Sequence, residues 1–172
     1  MKTRRFLRAA VLCAATLLAV GCGNSSPVGV DSRNPAANPD LIGSPGLLQC
    51  TPMDSASTTQ TIGPLGGTIV VGPHQLTIPP GALPHPVTIT ATAPSDTVNR
   101  VHFDPEGLTF LRSASLTMSY ANCNLLGLTL PRQIAYTTDL LSILYYITSL
   151  DDPSAGTVTG QLDHFSQYAV AW

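Results

Sequence analysis

Val87-Thr88-Ile89-Thr90-Ala91-Thr92-Ala93 alternates without a break, with Val87, Ile89, Ala91 and Ala93 on one side and three threonines on the other. Successive side chains of a strand point to opposite faces. The stretch therefore predicts a β-strand with one face in a core and a hydroxyl-covered face in water. Ser115 to Tyr120 repeats the pattern, placing Leu116, Met118 and Tyr120 inward and Ser115, Thr117 and Ser119 outward. Further candidate strands are Gly67 to Val71, Gln75 to Ile78, Arg100 to Phe103, Leu108 to Leu111, Gln133 to Thr137, Thr157 to Leu162 and Tyr168 to Trp172. Pro79-Pro80-Gly81, Asp104-Pro105-Glu106-Gly107 and Asp152-Pro153-Ser154-Ala155-Gly156 read as turns, because proline presets φ and glycine permits its positive values. Many short strands with such punctuation predict an all-β fold, an antiparallel β-sandwich.

Asp139 to Leu150, DLLSILYYITSL, reads two ways. Its Asp and the spacing of its apolar residues suit a helix, whereas its Ile and Tyr content and passable alternation suit a strand. The strand is preferred, since a lone helix needs a face of its own in a sandwich.

Outward from these strands, residues 47–172 make one domain of ordinary size. Before it, residues 23–46 read GNSSPVGVDSRNPAANPDLIGSPG, rich in Gly, Pro, Ser and Asn with little to bury. This composition predicts a flexible linker with a root-mean-square reach of about 25 to 30 Å.

The chain opens with Lys2, Arg4, Arg5 and Arg8, then an apolar run from Ala9 to Val20 that stops at Gly21-Cys22. A run of about 12 residues fits a signal peptide and falls short of the roughly 20 that span a bilayer as a helix. Leu18-Ala19-Val20-Gly21-Cys22 resembles the bacterial lipobox, so residues 1–21 are expected to be a lipoprotein signal peptide and Cys22 the lipidated first residue of the exported chain. The resemblance implies a membrane partner through acyl chains, each buried CH₂ adding about 0.8 kcal/mol. It also implies the cell envelope as location. Gly23 lacks the Asp that retains such proteins at an inner membrane, which favours the outer one in a two-membrane cell.

Removal of the leader leaves Arg33, Arg100, Arg112 and Arg132 against ten acidic residues, a formal charge of −6 with no lysine. That balance argues against nucleic acid as a partner, because phosphate neutralisation supplies most of such affinity. Cys13 leaves with the leader and Cys22 is taken by lipid, so Cys50 and Cys123 are expected to pair as a disulfide in an oxidising compartment. The histidines and cysteines lack ligand spacing, and no metal or other cofactor is expected.

Gly66-Gly67-Thr68, Leu76-Thr77-Ile78-Pro79-Pro80-Gly81-Ala82-Leu83 and Val87-Thr88-Ile89 together resemble the core signature of the ZU5 domain, and His164-Phe165-Ser166-Gln167-Tyr168 resembles its closing strand. The resemblance covers most of residues 60–172. It implies a β-sandwich used mainly for protein contacts, here with an envelope or extracellular partner. In some death-domain relatives of ZU5 the chain cuts itself between Phe and Ser of the same tripeptide, with histidine assisting the hydroxyl. Carried over, this makes His164, Phe165 and Ser166 the candidate self-processing set. In a strand His164 and Ser166 would share a face, bringing base and nucleophile together. Only seven residues lie beyond the cut and would stay paired in a sheet, so the preferred reading is an intact chain in which His164 and Ser166 hydrogen-bond locally while Phe165, Tyr168, Val170 and Trp172 pack the last strand.

Other acidic and histidine positions carry weaker signals. Asp151-Asp152 and Asp104/Glu106 are expected as solvated turn residues, and His74 and His85 as loop residues. No nucleophile elbow, P-loop or dinucleotide fingerprint is present in the sequence. The expected function is a non-enzymatic binding or structural module on a membrane-anchored lipoprotein. The alternatives are a self-processing domain and a hydrolase acting on envelope polymers.

Overall fold

The computed structural model describes residues 46–172. The leader, Cys22 and the linker up to residue 45 lie outside the described residues. One antiparallel sheet has the order β1 (Ala56–Ile62), β4 (Val87–Ala93), β5 (Arg100–Asp104), β11 (Gln167–Ala171), β7 (Gln133–Thr137) and β8 (Ile143–Ile147). The other has the order β2 (Gly67–Val71), β3 (His74–Ile78), β6 (Thr109–Ser119), β10 (Thr157–His164) and β9 (Ser149–Asp152). The two pack together as an all-β sandwich.

The alternation of VTITATA is realised as expected. Ile89, Ala91 and Ala93 are buried, while Thr88, Thr90 and Ser57's partner Thr92 meet hydroxyls of β1 in a ladder of 3.0, 2.9 and 3.3 Å contacts. Leu116, Met118 and Tyr120 are likewise inside. Between the sheets Ile89, Val101, Phe103, Ile134, Tyr168 and Val170 meet Ile69, Leu76, Ile78, Leu116, Val158 and Leu162 in one cluster. Full burial of each such side chain contributes about 1.5–3 kcal/mol.

Pro79-Pro80-Gly81-Ala82 turns as read: the Ala82 N–H donates to Pro79 O at 3.2 Å, with Gly81 at φ 78°. Gly81 also donates its N–H to Pro64 O at 2.8 Å, tying this turn to the one between β1 and β2. In that second turn Gly66 sits at φ 73°, and a Cβ there would lie 2.8 Å from the Pro79 carbonyl carbon. Glycine is required at Gly66 on both counts.

Four expectations need correction. β1 was not among the candidate strands, because ASTTQTI presents only Ala56 and Ile62, one at each end, to the core and its hydroxyls obscure the alternation. Leu108 to Leu111 and Ser115 to Tyr120 are not separate strands but mostly one 11-residue strand, β6, whose outer half is too exposed to show an apolar face. His74 is not a loop residue; it opens β3 and is 1% exposed. Asp139 to Leu150 is extended rather than helical, as preferred, yet it is not one strand. Residues Thr138 to Ser142 close a turn with Leu141 at φ 62°, and the chain then leaves the first sheet after Ile147 to enter the second at Ser149.

Candidate functional site at the corner between the sheets

His164 ends β10 in one sheet and Gln167 begins β11 in the other, so Phe165 and Ser166 form the crossing between them. This corrects the expectation that His164 and Ser166 share a strand face. The two-residue alternation breaks where the chain changes sheets.

Phe165 anchors the crossing. Its ring is fully buried, stacked on Phe103 at 5.0 Å and edge-on to Phe110 at 5.0 Å. Its N–H donates to Leu108 O at 2.7 Å and its carbonyl accepts from Gly107 N–H at 3.0 Å. The Ser166 carbonyl accepts from the Phe103 N–H at 3.1 Å, so the backbone on both sides of the Phe165-Ser166 peptide is tied down.

The His164 ring turns into an aromatic group. Its Nε2 lies 3.2 Å from the Tyr145 hydroxyl, and its Nδ1 lies 3.3 Å from Phe165 O and 3.4 Å from the Tyr168 hydroxyl. Tyr168 donates its O–H to the His164 carbonyl at 2.7 Å. Tyr136 packs against Tyr145, His164 and Tyr168 at centroid distances of 5.0, 5.2 and 5.9 Å. Burial holds the phenols of Tyr145 and Tyr168 above their ordinary range, with neighbouring tyrosines and Asp163 adding to the shift. Among the described hydrogen bonds, none joins the Ser166 hydroxyl to His164. The arrangement holds the imidazole in the tyrosine group and uses its polar atoms to secure the corner.

Beside this corner an open groove of about 390 Å³ is lined by Tyr145, Ile147, Thr148, Gln161, Asp163 and Tyr168, among others. β9 pairs with β10 only from Thr157 to Gly160, which leaves the edge of Gln161 to Asp163 open beside β8. Nothing in sequence spacing links Tyr145 to Gln161; the groove exists because one segment divides itself between two sheets.

Asp151 differs from its expected solvated turn role. It lies in β9 with its side chain 8% exposed, accepting the Tyr120 O–H at 2.5 Å and the Arg132 N–H at 2.9 Å. Burial first, and then this bond to Asp151, push the Tyr120 phenol up to about 12. The Arg132 guanidinium stands 5.7 Å from the Tyr120 ring centre. Asp152 is exposed and closes the turn as read, accepting from the Ser154 N–H and O–H and from the Ala155 N–H. These bonds hold its carboxyl below the usual range, the Ser154 hydroxyl contributing most. Asp104, Glu106 and His85 are exposed, as expected.

Cys50 and Cys123 are joined, with sulfurs 2.08 Å apart and Cα atoms 3.7 Å apart. They form an isolated antiparallel bridge outside the named strands. Asn99 and Asn122 flank it: the Asn99 side chain donates to Asn122 Oδ1 at 2.7 Å, and that of Asn122 to Thr51 O at 2.6 Å. Neither asparagine carried a sequence signal. These features define the protein as a disulfide-linked antiparallel β-sandwich. No protein-family model and no curated protein sequence matches this chain.

Proposed function

We propose that this protein is a membrane-anchored lipoprotein of the cell envelope whose ZU5-like sandwich acts as a non-enzymatic binding or structural module. The Cys50–Cys123 disulfide carries the reading. A structural disulfide persists in an oxidising compartment, and it accompanies a leader with the features of an export signal. The Cys22 anchor rests on the lipobox resemblance and holds the domain at a membrane by acyl chains. The module role is supported by where the polar groups of the candidate sites point. His164, Tyr168, Asp151 and Tyr120 spend their hydrogen-bonding capacity on the sandwich itself.

Fractionation tests the anchor: Cys22→Ala is expected to move the protein from the membrane to the soluble fraction, and an unchanged distribution would refute it. Intact mass of the exported protein tests the reading of the corner. The chain is expected to be uncut at Phe165-Ser166, whereas loss of residues 166–172, abolished by Ser166→Ala, would establish self-processing. The partner is sought by crosslinking in intact cells, with an envelope or extracellular protein as the expected capture.

A further inference from the structure

From Ala121 to Pro131 the chain carries no charge and four leucines: Leu125, Leu126, Leu128 and Leu130. Leu128 packs against the core, but Leu126 is 89% exposed and Leu125 and Leu130 are exposed at its sides. This is a shaped feature. The Leu128 N–H donates to Leu125 O at 3.2 Å with Gly127 at φ 76°, the geometry of a type II turn with Leu126 at its apex. The Leu126 N–H donates to Asn124 Oδ1 at 3.1 Å. Two amides of the apex thus have partners already, which matters because an unpaired N–H in hydrocarbon costs several kcal/mol. The nearest charged side chain along the chain, Arg132, is folded back beside Asp151 and Tyr120.

The position of the turn says what it meets. Cys123 is bonded to Cys50, and the Asn124 N–H donates to Gln49 O at 2.8 Å, so the turn is rooted beside the segment where the described domain begins. Gly46 in turn pairs with Trp172 through backbone bonds of 3.0 and 2.9 Å. Chain entry and leucine turn share one end of the sandwich. Leu65 and Leu140, also exposed, lie in turns at the opposite ends of their strands. Only 23 residues separate Cys22 from Gly46, and chain of that composition spans about 25 to 30 Å.

We propose that the Leu125–Leu128 turn is a second membrane contact, seating Leu126 in the interfacial layer of the bilayer that holds the Cys22 anchor. The inference rests on the anchor reading above. The surface it fits is neutral lipid, since a formal charge of −6 without the leader opposes anionic headgroups. The contact fixes the orientation of the domain, with the His164–Ser166 corner at the other end of β11 facing away from the membrane.

The test uses the chain from Cys22 onward, in which Cys22 is the one cysteine outside the disulfide. Coupling its thiol to a maleimide lipid in phosphatidylcholine vesicles supplies an anchor whether or not cells acylate it. Leu126→Trp is placed in a Trp172→Phe background, with Leu130→Trp as a second variant should the first fail to fold. The expected result is a blue-shifted emission, quenched by about half when the lipid carries bromine on its acyl chains, as for a side chain 5–10 Å deep. Emission identical with and without vesicles in folded protein would overturn the proposal, including the case in which the turn serves a protein instead. The intact mass of cell-made protein at Cys22 reads the anchor separately, so the two failures are distinguishable.

Discussion

Ser149 Oγ accepts the Ile134 N–H at 3.0 Å and donates to the Ile147 carbonyl at 2.7 Å, standing in for the backbone where the chain passes from one sheet to the other. A strand that leaves its sheet abandons ladder groups on its neighbour, and buried backbone groups need partners. One hydroxyl satisfies both. Ser149→Ala is expected to lower stability by roughly 1–3 kcal/mol by leaving the Ile134 N–H unpaired. Urea unfolding measures this; a midpoint within error of wild type would show that water replaces the hydroxyl.

Gly66 and Gly107 have nearly the same positive φ, 73° and 76°, but different surroundings. A Cβ on Gly66 meets the Pro79 backbone, whereas one on Gly107 meets nothing within 4 Å. Gly107→Ala is therefore expected to cost about 1–2 kcal/mol from the left-handed conformation alone. Gly66→Ala is expected to cost distinctly more, because the turn itself must shift. Thermal melting of the two variants separates conformational strain from close approach.

His74 is buried and its Nδ1 accepts the Ser119 N–H at 3.2 Å. Burial lowers its pKa from 6.5 to about 4. Between those values the unfolded chain binds the proton and the folded one does not, so stability falls as pH drops from 6.5 towards 4 and is flat above 6.5 from this cause. The loss approaches roughly 3 kcal/mol at the low end. Denaturant midpoints of wild type and His74→Gln across this window report it. Parallel curves would mean that another group governs the acid limb.

The Cys50–Cys123 bond closes a loop of 73 residues and roots the segment 46–50 on the sandwich. Replacing both cysteines by serine is expected to cost up to about 4 kcal/mol on the chain-entropy estimate. The loss should concentrate locally, with hydrogen exchange fastest at Thr51 and Asn124, whose amides donate to Asn122 O and Gln49 O across the two segments.

Tyr120 and Asp151 share a buried hydrogen bond that removal of one partner leaves half made. Tyr120→Phe is expected to destabilise by about 1.5–3 kcal/mol, since the acceptor is a charged carboxylate. Ultraviolet titration of wild type should show the Tyr120 phenol contributing up to about 12, an amplitude that the variant lacks.

Strands with an unbroken period of two, such as Val87 to Ala93 and the inner half of β6, were readable because their burial follows directly from residue type. The turns at Pro79-Pro80-Gly81 and Asp152 to Gly156 were readable because proline and glycine constrain φ locally. β1 was not, since its hydroxyl ladder with β4 acquires meaning only once the two strands are adjacent. The same limit hid the candidate sites: Tyr136, Tyr145 and Tyr168 became one group with His164 only through pairing across β7, β8 and β11.

Local chemistry in the sequence was thus enough to determine the all-β class, most strand positions, the main turns and the expected Cys50–Cys123 pairing. Only the tertiary structure decided which strands are neighbours, that Asp139 to Leu150 serves both sheets, and that His164 and Ser166 straddle a crossing rather than share a face. The reason is physical. Alternation and turn preference act over a few residues, whereas sheet membership is settled by long-range burial and by partners for the last unpaired backbone groups, such as the Ile134 N–H that Ser149 accepts.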